Sequence, residues 1–384
     1  MRYACCNGDI LLEDGLRSGM ALVVENGVIC DIVADDQLDQ EIPIIDLDGH
    51  RLIPGFVDLQ VNGGNGVMFN DAPSVASLRR IAEAHWQYGT TAFLPTLISN
   101  DLDTVRVAIK AVGDAIAAGA PGIVGIHIEG PFLNIDRSGI HDRMKIRAFD
   151  SEGLEAITAV PGGRTLITLA PECVRNEDIQ SLLDRDILIC AGHTNATYAQ
   201  LTEAFDAGVS GVTHLFNAMS QLTNREPGAV GAALNTPDSW CCLIVDGKHV
   251  HPATLQIALK AKGSHERLII VTDAMPTVGL ERKTFQLNGE DMAVVDGVCQ
   301  DRFGTLAGSD IDMAQSVLNA QELMGATFAQ AVEMGSANPA RFLGMQELFG
   351  SLTPGKKANM VRIDKGCTVH TTWIEGVAVW TRQL

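Results

Sequence analysis

Short, continuously apolar runs recur along this chain, and four of them carry an ionisable or metal-binding residue at their carboxyl end. Residues 126–133 pass through Glu129, and residues 187–193, 211–214 and 268–273 end on His, His and Asp. Strands that are buried on both faces show such continuous hydrophobicity, whereas half-exposed strands alternate apolar and polar residues. The pattern therefore predicts buried parallel strands with polar side chains at their carboxyl ends.

Helical spacing alternates with such runs from residue 52 onward. Apolar residues recur at helical intervals in residues 74–88, 102–118 and 252–261, and Ser74 is a plausible N-cap. Eight strand-like runs follow residue 52, each succeeded by a helix or a loop. We predict an α/β fold, a (β/α)8 TIM-like barrel, in which the carboxyl ends of the strands converge on one site.

The two ends of the chain show neither helical spacing nor long apolar runs. Residues 1–53 and 346–384 contain short strands separated by turn sequences such as Glu25-Asn26-Gly27. Neither segment is long enough to close a core alone. We therefore predict that they form one small discontinuous β-sandwich domain. The barrel domain is then residues 54–345, with a hairpin inserted at residues 284–298 through Asn288-Gly289-Glu290.

Composition and charge narrow the function before any motif is considered. The net charge of −19 argues against nucleic acid or an anionic membrane as a partner. No run approaches the roughly 20 apolar residues of a membrane span, and the first residues lack the apolar segment of a secretion signal. Nine cysteines without a Cys-x-x-Cys spacing indicate reduced, buried thiols. We expect a cytoplasmic protein.

Three residues at predicted strand ends form a candidate metal site, namely Glu129, His193 and His214. One carboxylate and two imidazoles suit Zn²⁺ or Fe²⁺ and leave a coordination position open for water. The alternative is a hydrogen-bonded glutamate with two structural histidines. Three such residues on three different strand ends favour the metal site.

Asp273, Gln60 and Asn62 are expected beside this site. Asp273 ends the last barrel strand, where an ionised carboxylate can take a proton from water and return it to a leaving group; its alternative role is a turn cap. Gln60 and Asn62 are two residues apart and therefore face one side of an extended strand. Amides bind metals more weakly than imidazoles do, but they can orient a water molecule or a substrate.

Further polar residues lie in predicted loops at the same end of the barrel and are candidates for substrate binding. Arg225, together with a backbone amide near Asn217 and Ala218, can bind a phosphate or a carboxylate, because a guanidinium presents a planar fork of donors. Arg225 can equally be a solvated loop charge. His249 can donate a hydrogen bond to a substrate, and His141 lies in a loop at the same end.

Nine motifs lie in a specific order along nearly the whole chain. They occupy residues 54–63, 127–132, 139–141, 192–194, 213–219, 225–228, 246–249, 272–274 and 352–356. This ordered set resembles the amidohydrolase superfamily and, within it, the N-acetylglucosamine-6-phosphate deacetylases. Any single motif is weak evidence, whereas the ordered set is specific.

The resemblance implies a hydrolase that removes the acetyl group from N-acetyl-D-glucosamine 6-phosphate, in amino-sugar catabolism or cell-wall recycling. It implies that Glu129, His193 and His214 hold the metal. Asp273 would deprotonate the attacking water and then protonate the leaving amine.

The same resemblance implies roles for the remaining candidates. His141 and His249 would contact the sugar and the carbonyl group, with His141 stabilising the tetrahedral oxyanion. Asn217, Ala218 and Arg225 would bind the 6-phosphate. Arg225 would reach across a subunit interface, so that a homodimer, or a dimer of dimers, is expected.

Gln60 and Asn62 depart from the usual pattern of the superfamily. They stand where most members have a His-x-His motif that binds a second, more buried metal ion. One group of these deacetylases shares the departure and works with one metal. We therefore expect one divalent ion per subunit, Zn²⁺ or Fe²⁺, and the departure makes a second ion doubtful.

Three alternatives remain at this point. The substrate can be a related sugar phosphate such as N-acetylgalactosamine 6-phosphate, because the sequence does not resolve the orientation of one hydroxyl group. A cyclic-amide hydrolase such as a dihydroorotase is disfavoured, since no lysine occupies a suitable strand end for a bridging ligand. A non-catalytic oligomeric scaffold is also disfavoured, because the three candidate ligands and Asp273 are all present.

Overall fold

The computed structural model describes residues 1–383, and its centre is a sheet of eight parallel strands that curls into a barrel. We number these strands β1 to β8 in chain order. Neighbouring strands of the sheet are also neighbours in sequence, which is the topology predicted for a (β/α)8 barrel. The strands are Phe56–Val61 (β1), Thr90–Ile98 (β2), Gly125–Glu129 (β3), Arg164–Leu169 (β4), Ile187–Ala191 (β5), Gly211–Val212 (β6), Trp240–Leu243 (β7) and Leu268–Ile270 (β8).

β1 and β8 meet at a seam with little regular backbone pairing. The Asp273 amide donates a hydrogen bond to the Gln60 carbonyl at 2.9 Å. The buried Asp58 carboxylate spans the same seam and accepts hydrogen bonds from the amide of Thr272 at 3.3 Å and from its hydroxyl at 2.5 Å. The barrel is therefore nearly closed, and side-chain bonds replace part of the missing backbone pairing.

Ten α-helices occur among the described residues, and their apolar faces pack on the barrel strands. Helix α2 illustrates the packing, because it buries residues at the i, i+3, i+4 and i+7 positions, beginning at Val105 and ending at Val112. The helices are Val75–Trp86 (α1), Leu102–Ala117 (α2), Ser151–Ala156 (α3), Asn176–Leu183 (α4), Tyr198–Asp206 (α5), Gly228–Asn235 (α6), Pro252–Ala261 (α7), Met313–Asn319 (α8), Phe328–Gly335 (α9) and Ala337–Phe342 (α10).

A layer of polar side chains separates the apolar barrel interior from the carboxyl ends of the strands. The His127 imidazole lies between the hydroxyl groups of Thr96, at 3.2 Å, and Thr168, at 2.7 Å. Thr168 is in turn 2.6 Å from the Thr213 hydroxyl. Burial lowers the pKa of His127 to about 4, so that the imidazole is neutral at neutral pH. Each buried polar atom of this layer thereby finds a partner.

An antiparallel sheet is inserted after β8 and leans over the carboxyl end of the barrel. The Ser309 amide donates to the Asp273 carbonyl at 2.9 Å, which attaches this sheet to the barrel. Gly308 has φ of 64°, and a Cβ at this position would lie 2.7 Å from that carbonyl oxygen, so that only glycine fits here. The strands of the inserted sheet are Thr284–Leu287, Glu290–Val295, Val298–Gln300 and Leu306–Ser309.

Strands from both ends of the chain build two further sheets, which form the small discontinuous β-sandwich. Residues of both sheets, including Leu22, Leu52 and Trp373, share one buried apolar cluster. One sheet contains, in spatial order, Val28–Ala34, Met20–Glu25, Arg2–Cys6 and Ile44–Asp46. The other contains Val377–Thr381, Val369–Ile374, Met360–Ile363, Arg51–Pro54, Asp9–Leu12 and Gly15–Arg17.

The structure corrects three predicted elements. The apolar residues 52–59 predict a single strand in the sequence, but the structure has two, because the chain leaves the sandwich at Pro54 and enters the barrel at Phe56. Helix α6 was not predicted, since it is buried on every side and therefore lacks helical spacing of polar residues. The inserted hairpin turns at Asn288-Gly289 alone, so that its second strand begins at Glu290, at the end of the predicted turn.

All nine cysteines are free in the described part of the chain. Seven are buried as predicted, but Cys30 and Cys173 are exposed, so the prediction of burial is wrong for these two. Within residues 1–383, no helix combines the length and the apolar character that crossing a bilayer requires.

Candidate metal centre

The three predicted metal ligands converge at the carboxyl end of the barrel. Glu129 is the last residue of β3, His193 lies two residues after β5, and His214 lies two residues after β6. The Glu129 Oε1 atom is 3.0 Å from Nε2 of His214 and 3.3 Å from Nε2 of His193, and the two Nε2 atoms are 3.1 Å apart. All three side chains are buried.

The hydrogen bond made by Nδ1 of His193 fixes the tautomer of that imidazole. Its Nδ1 atom donates to the carbonyl oxygen of Arg137 at 2.7 Å, and Nε2 therefore keeps its lone pair and faces Glu129. The Nδ1 atom of His214 is buried and has no partner among the described residues. Two imidazole nitrogens and one carboxylate oxygen within mutual contact distance form the donor set that Zn²⁺ and Fe²⁺ prefer.

Burial and the neighbouring imidazoles compete in setting the charge of this cluster. Burial favours the neutral form of Glu129, but the imidazoles of His141, His193 and His214 around the carboxylate outweigh it and hold the pKa of this carboxyl well below its usual value. Burial also disfavours the charged form of His214, but the hydrogen bond with Glu129 raises its pKa above the usual value. A permanently ionised glutamate beside nitrogen donors is what a divalent cation requires, so the residues fit such an ion.

Asp273 faces the ligands from the seam of the barrel. Its Oδ1 atom accepts hydrogen bonds from the side-chain amides of Gln60, at 3.1 Å, and Asn62, at 2.6 Å. Gln60 also donates to Oε1 of Glu129 at 3.1 Å, so these two amides do lie on one side of β1 as predicted. Burial, followed by the charge of Glu129, raises the pKa of Asp273 to about 6. The carboxylate can therefore both accept and release a proton near neutral pH.

His141 presents a neutral imidazole to the same cavity. Its Nδ1 atom accepts a hydrogen bond from the Ser99 amide at 3.2 Å, so the ring proton lies on Nε2, which is 3.7 Å from Oε2 of Glu129. Burial lowers the pKa of His141 to about 4. This imidazole is therefore a neutral hydrogen-bond donor.

His249 is oriented by an aspartate three residues earlier in the chain. Its Nδ1 atom donates to Oδ2 of Asp246 at 2.6 Å, and Oδ1 of Asp246 accepts the backbone amides of Lys248 and His249, each at 2.8 Å. Burial opposes ionisation of Asp246, but the His249 bond lowers the pKa of this carboxyl below its usual value. The ionised carboxylate leaves Nε2 of His249 as the free nitrogen.

A cavity of about 350 Å³ connects these residues and is large enough for a small ligand. Its wall includes Asn217 and Ala218, which follow His214 in a loop with unusual backbone geometry. His214, Phe216 and Ala218 have φ of 32°, 80° and 49°, a region that non-glycine residues rarely adopt. Such strain is typical of functional sites.

Arg225 is the one predicted site residue that the single chain places elsewhere. It is exposed in the loop before α6 and does not line the cavity. All the other candidates lie at the cavity or contact a residue that lines it. They are Glu129, His193, His214, Asp273, His141, Asn217, Ala218, His249 and Asn62, with Gln60 behind Asp273.

Three residues at the site were not singled out from the sequence. Ser99 and Asp246 orient His141 and His249, and Arg137 lines the cavity itself. Asp246 could have been selected from the sequence, because it lies in the same short motif as His249. Ser99 and Arg137 reach the site through tertiary contacts that no local pattern announces.

Comparisons with known proteins agree with this geometry. Residues 51–379 match the model of the amidohydrolase family. The chain is 39% identical to an N-acetylgalactosamine-6-phosphate deacetylase of Shewanella sp. (strain ANA-3), over 96% of this chain and 93% of the relative. It is 34% identical to an N-acetylglucosamine-6-phosphate deacetylase of Haemophilus influenzae, over 98% and 99% of the two chains.

A solved structure extends the similarity to three dimensions. The crystal structure of N-acetylglucosamine-6-phosphate deacetylase from Pasteurella multocida superposes with a TM-score of 0.93 at 34% identity, covering 98% of this chain and 99% of that one. Both the sequence match and the fold extend over the barrel and the sandwich. The chain therefore belongs to the amidohydrolase family, in the branch that contains these deacetylases.

Proposed function

We propose that the protein hydrolyses N-acetyl-D-glucosamine 6-phosphate to D-glucosamine 6-phosphate and acetate. The observation that carries the proposal is the convergence of Glu129, His193 and His214 with Asp273 on one cavity, in a chain whose relatives are deacetylases of N-acetylated amino-sugar phosphates. The oxygen and nitrogen donors would hold one divalent ion, Zn²⁺ or Fe²⁺. Such an ion polarises a carbonyl group and acidifies water.

Asp273 moves the proton in the proposed reaction. Its carboxylate takes a proton from the water that attacks the acetyl carbon, and it then gives this proton to the amine nitrogen as the carbon–nitrogen bond breaks. Gln60 and Asn62 hold the carboxylate in position through their amide groups. The products are the free amine and acetic acid, which ionises to acetate; one water proton ends on the amine, and the remaining oxygen and proton of the water enter the acid.

The neighbouring histidines and the strained loop bind the rest of the substrate. Nε2–H of His141 donates to the acetyl oxygen and stabilises the negative charge that develops there. His249, oriented by Asp246, contacts the sugar. The side-chain amide of Asn217 and the backbone amide of Ala218 bind the 6-phosphate, as Arg225 does after assembly with a second copy of the chain.

N-acetyl-D-galactosamine 6-phosphate is a second candidate substrate. The Shewanella relative, at 39% identity, carries that substrate in its name. The two sugars differ only in the orientation of one hydroxyl group, and the chemistry at the acetyl group is the same for both. We retain the glucosamine compound as the main proposal and treat its epimer as the direct comparison.

The deciding experiment is acetate release from both epimers, measured before and after chelation, with metal counted on the same sample. We expect activity that disappears with the chelator and returns with about one equivalent of Zn²⁺ or Fe²⁺ per chain. A requirement for two equivalents would refute the single-ion proposal. A folded, metal-loaded protein that releases no acetate from either epimer would refute the substrate proposal.

A further inference from the structure

One guanidinium in the cavity wall has no role in the reaction described above. Arg137 lines the cavity, and no other lysine or arginine of the described residues does so. Glu129 and Asp273 line the same cavity, and the chain as a whole has a net charge of −19. An anionic substrate that approaches these negative charges needs a positively charged group in the cavity.

Arg137 is anchored at one of its three side-chain nitrogens. It is the last residue of a short 3-10 turn, Ile135–Arg137, and its Nε atom donates to Oδ1 of Asn195 at 2.5 Å. The backbone amide of Asn195 donates to Oε1 of Glu172 at 2.5 Å, which fixes Asn195 in turn. No hydrogen bond or ion pair within residues 1–383 involves Nη1 or Nη2 of Arg137. These two nitrogens form the planar fork that binds a phosphate bidentately.

The hydrogen bond to Asn195 places Arg137 on the same side of the cavity as the loop of residues 214–218. Asn195 follows Thr194, whose amide donates to the Ala218 carbonyl at 3.1 Å. The main-chain oxygen of Arg137 accepts the Nδ1 proton of His193 at 2.7 Å. One residue therefore supports a metal ligand with its backbone and also lines the ligand cavity.

We propose that Arg137 is a specificity-determining residue, whose Nη1 and Nη2 atoms bind the phosphomonoester group of the substrate from within the same chain. The inference rests on the proposed function, and it goes further by assigning phosphate recognition to a residue of the chain that also supplies the metal ligands. A single chain therefore offers a positively charged side chain to the substrate's phosphate, even though its own Arg225 lies outside the cavity.

Truncation of the side chain tests the inference, because Arg137→Ala keeps the backbone carbonyl that holds His193. We expect KM for the 6-phosphate substrate to rise roughly 10- to 100-fold, the loss typical of a charged hydrogen-bonded pair. The kcat/KM for unphosphorylated N-acetylglucosamine should change less than about threefold, because that substrate lacks the group that Arg137 binds. Arg137→Lys should recover part of the affinity, since it keeps the charge and loses the fork.

Arg143→Ala is the matched control, since Arg143 is exposed in the same loop and does not line the cavity. It should leave both substrates unaffected. Equal losses of Arg137→Ala on the phosphorylated and unphosphorylated sugars would indicate a purely structural role and overturn the inference.

Binding of inorganic phosphate to the metal-loaded protein, measured by calorimetry, separates this inference from the proposed function. We expect phosphate to bind roughly 10-fold or more weakly to Arg137→Ala than to the unchanged protein. This result supports the anion site even if neither sugar phosphate is hydrolysed. Unchanged phosphate affinity in the variant would overturn the inference, whatever the activity.

Discussion

At the scale of single residues, the site uses backbone conformations that cost free energy. His193, His214 and Asp273 have φ of 47°, 32° and 54°, in the left-handed region. Each such residue costs about 1–3 kcal/mol unless its surroundings compensate. The sharp turns direct three side chains from three strand ends into one cavity. Histidine and aspartate tolerate this conformation better than most residues do, which suits a site built from them.

Asp273→Asn should remove the proton carrier while preserving the site's shape. An amide has nearly the same volume as the carboxylate but accepts no proton at neutral pH, so we expect acetate release to fall roughly 100- to 10,000-fold. Metal content should be unchanged, because Glu129, His193 and His214 are intact. Steady-state kinetics together with metal analysis checks both expectations. Retained activity would remove Asp273 from the mechanism.

Asp246→Asn should disturb His249 through its tautomer. The carboxylate accepts the Nδ1 proton of His249 at 2.6 Å, whereas the new amide can donate to Nδ1 and move the ring proton to Nε2. We expect kcat/KM to fall roughly 10- to 100-fold, as for other partners that orient a functional histidine. Asp238→Asn, at an exposed ion pair with Arg267, is the matched control and should behave as the unchanged protein. Equal activity of the two variants would contradict the assigned role of Asp246.

The sequence predicts the chemical identity of the site better than its geometry. Glu129, His193, His214 and Asp273 could be selected because each follows an apolar run, and parallel strands bring their carboxyl ends together. The neutral, donor state of His141 could not be predicted, since it depends on an amide from Ser99, which is distant in sequence.

At the scale of elements, the seam between β1 and β8 depends on a buried carboxyl group. Asp58 accepts hydrogen bonds from the backbone amide and the hydroxyl of Thr272, and these bonds hold together two strands that share little backbone pairing. The backbone amide of Gln60, on the same strand as Asp58, donates a third hydrogen bond to the carboxylate. Burial nevertheless dominates and raises the pKa of Asp58 to about 7. The seam therefore contains a group whose ionisation opposes folding.

Asp58→Asn should remove this pH-dependent penalty. The pKa of Asp58 is higher in the folded chain, about 7, than in an unfolded chain, so the folded state binds the proton more tightly. The contribution of this group to stability is therefore greatest at acidic pH and decreases as pH rises towards 7. The asparagine variant has no such proton, and its stability relative to the unchanged protein should rise by roughly 1–3 kcal/mol between pH 5 and pH 8.

Urea denaturation of both metal-free proteins at pH 5 and pH 8 measures that difference. A stability difference that stays constant between the two pH values would show that Asp58 is ionised in the folded protein throughout this range. Asp71 is less buried than Asp58, and Asp71→Asn supplies a comparison outside the seam.

Helices are predicted correctly where the spacing of apolar and polar residues reflects which face is buried and which is exposed. Helix α7 was predicted with the bounds that the structure shows, Pro252–Ala261, because its exposed face keeps the helical period visible. Helix α6 was missed, because complete burial removes that period. The division of the apolar run at Pro54-Gly55 was also missed, since the close approach of Gly55 to Thr91 of β2 is a tertiary contact that the run itself does not reveal.

At the scale of the whole molecule, the two ends of the chain meet on one side of the barrel. Arg51–Pro54 pairs with Met360–Ile363 in a single sheet, and this contact joins segments about 300 residues apart. We propose the division into residues 1–53 with 346–384 as the sandwich domain and residues 54–345 as the barrel domain. In this division the chain passes from the sandwich directly into β1, the strand that carries Gln60 and precedes Asn62.

The oligomeric state is the remaining question at the scale of the whole molecule, and substitution of Arg225 tests it through activity. The loop that carries Arg225 also exposes Leu222, whose surface is 57% accessible, on an otherwise polar segment. We propose a homodimer in which this loop completes the phosphate site of the second copy. In a two-fold symmetric pair each chain would give one Arg225 and receive one.

Heterodimers of Arg225→Ala and Asp273→Asn chains distinguish the two possible arrangements. If Arg225 acts across the interface, one site of each heterodimer combines an intact Asp273 with an intact Arg225 from the partner, and the other site carries both changes. We therefore expect about half the activity of the unchanged dimer from heterodimers purified through two different affinity tags, although each homodimer is impaired. If Arg225 acts within its own chain, every site carries one change, and no activity is restored. Failure of the two tagged chains to copurify would show that the protein is not a stable oligomer.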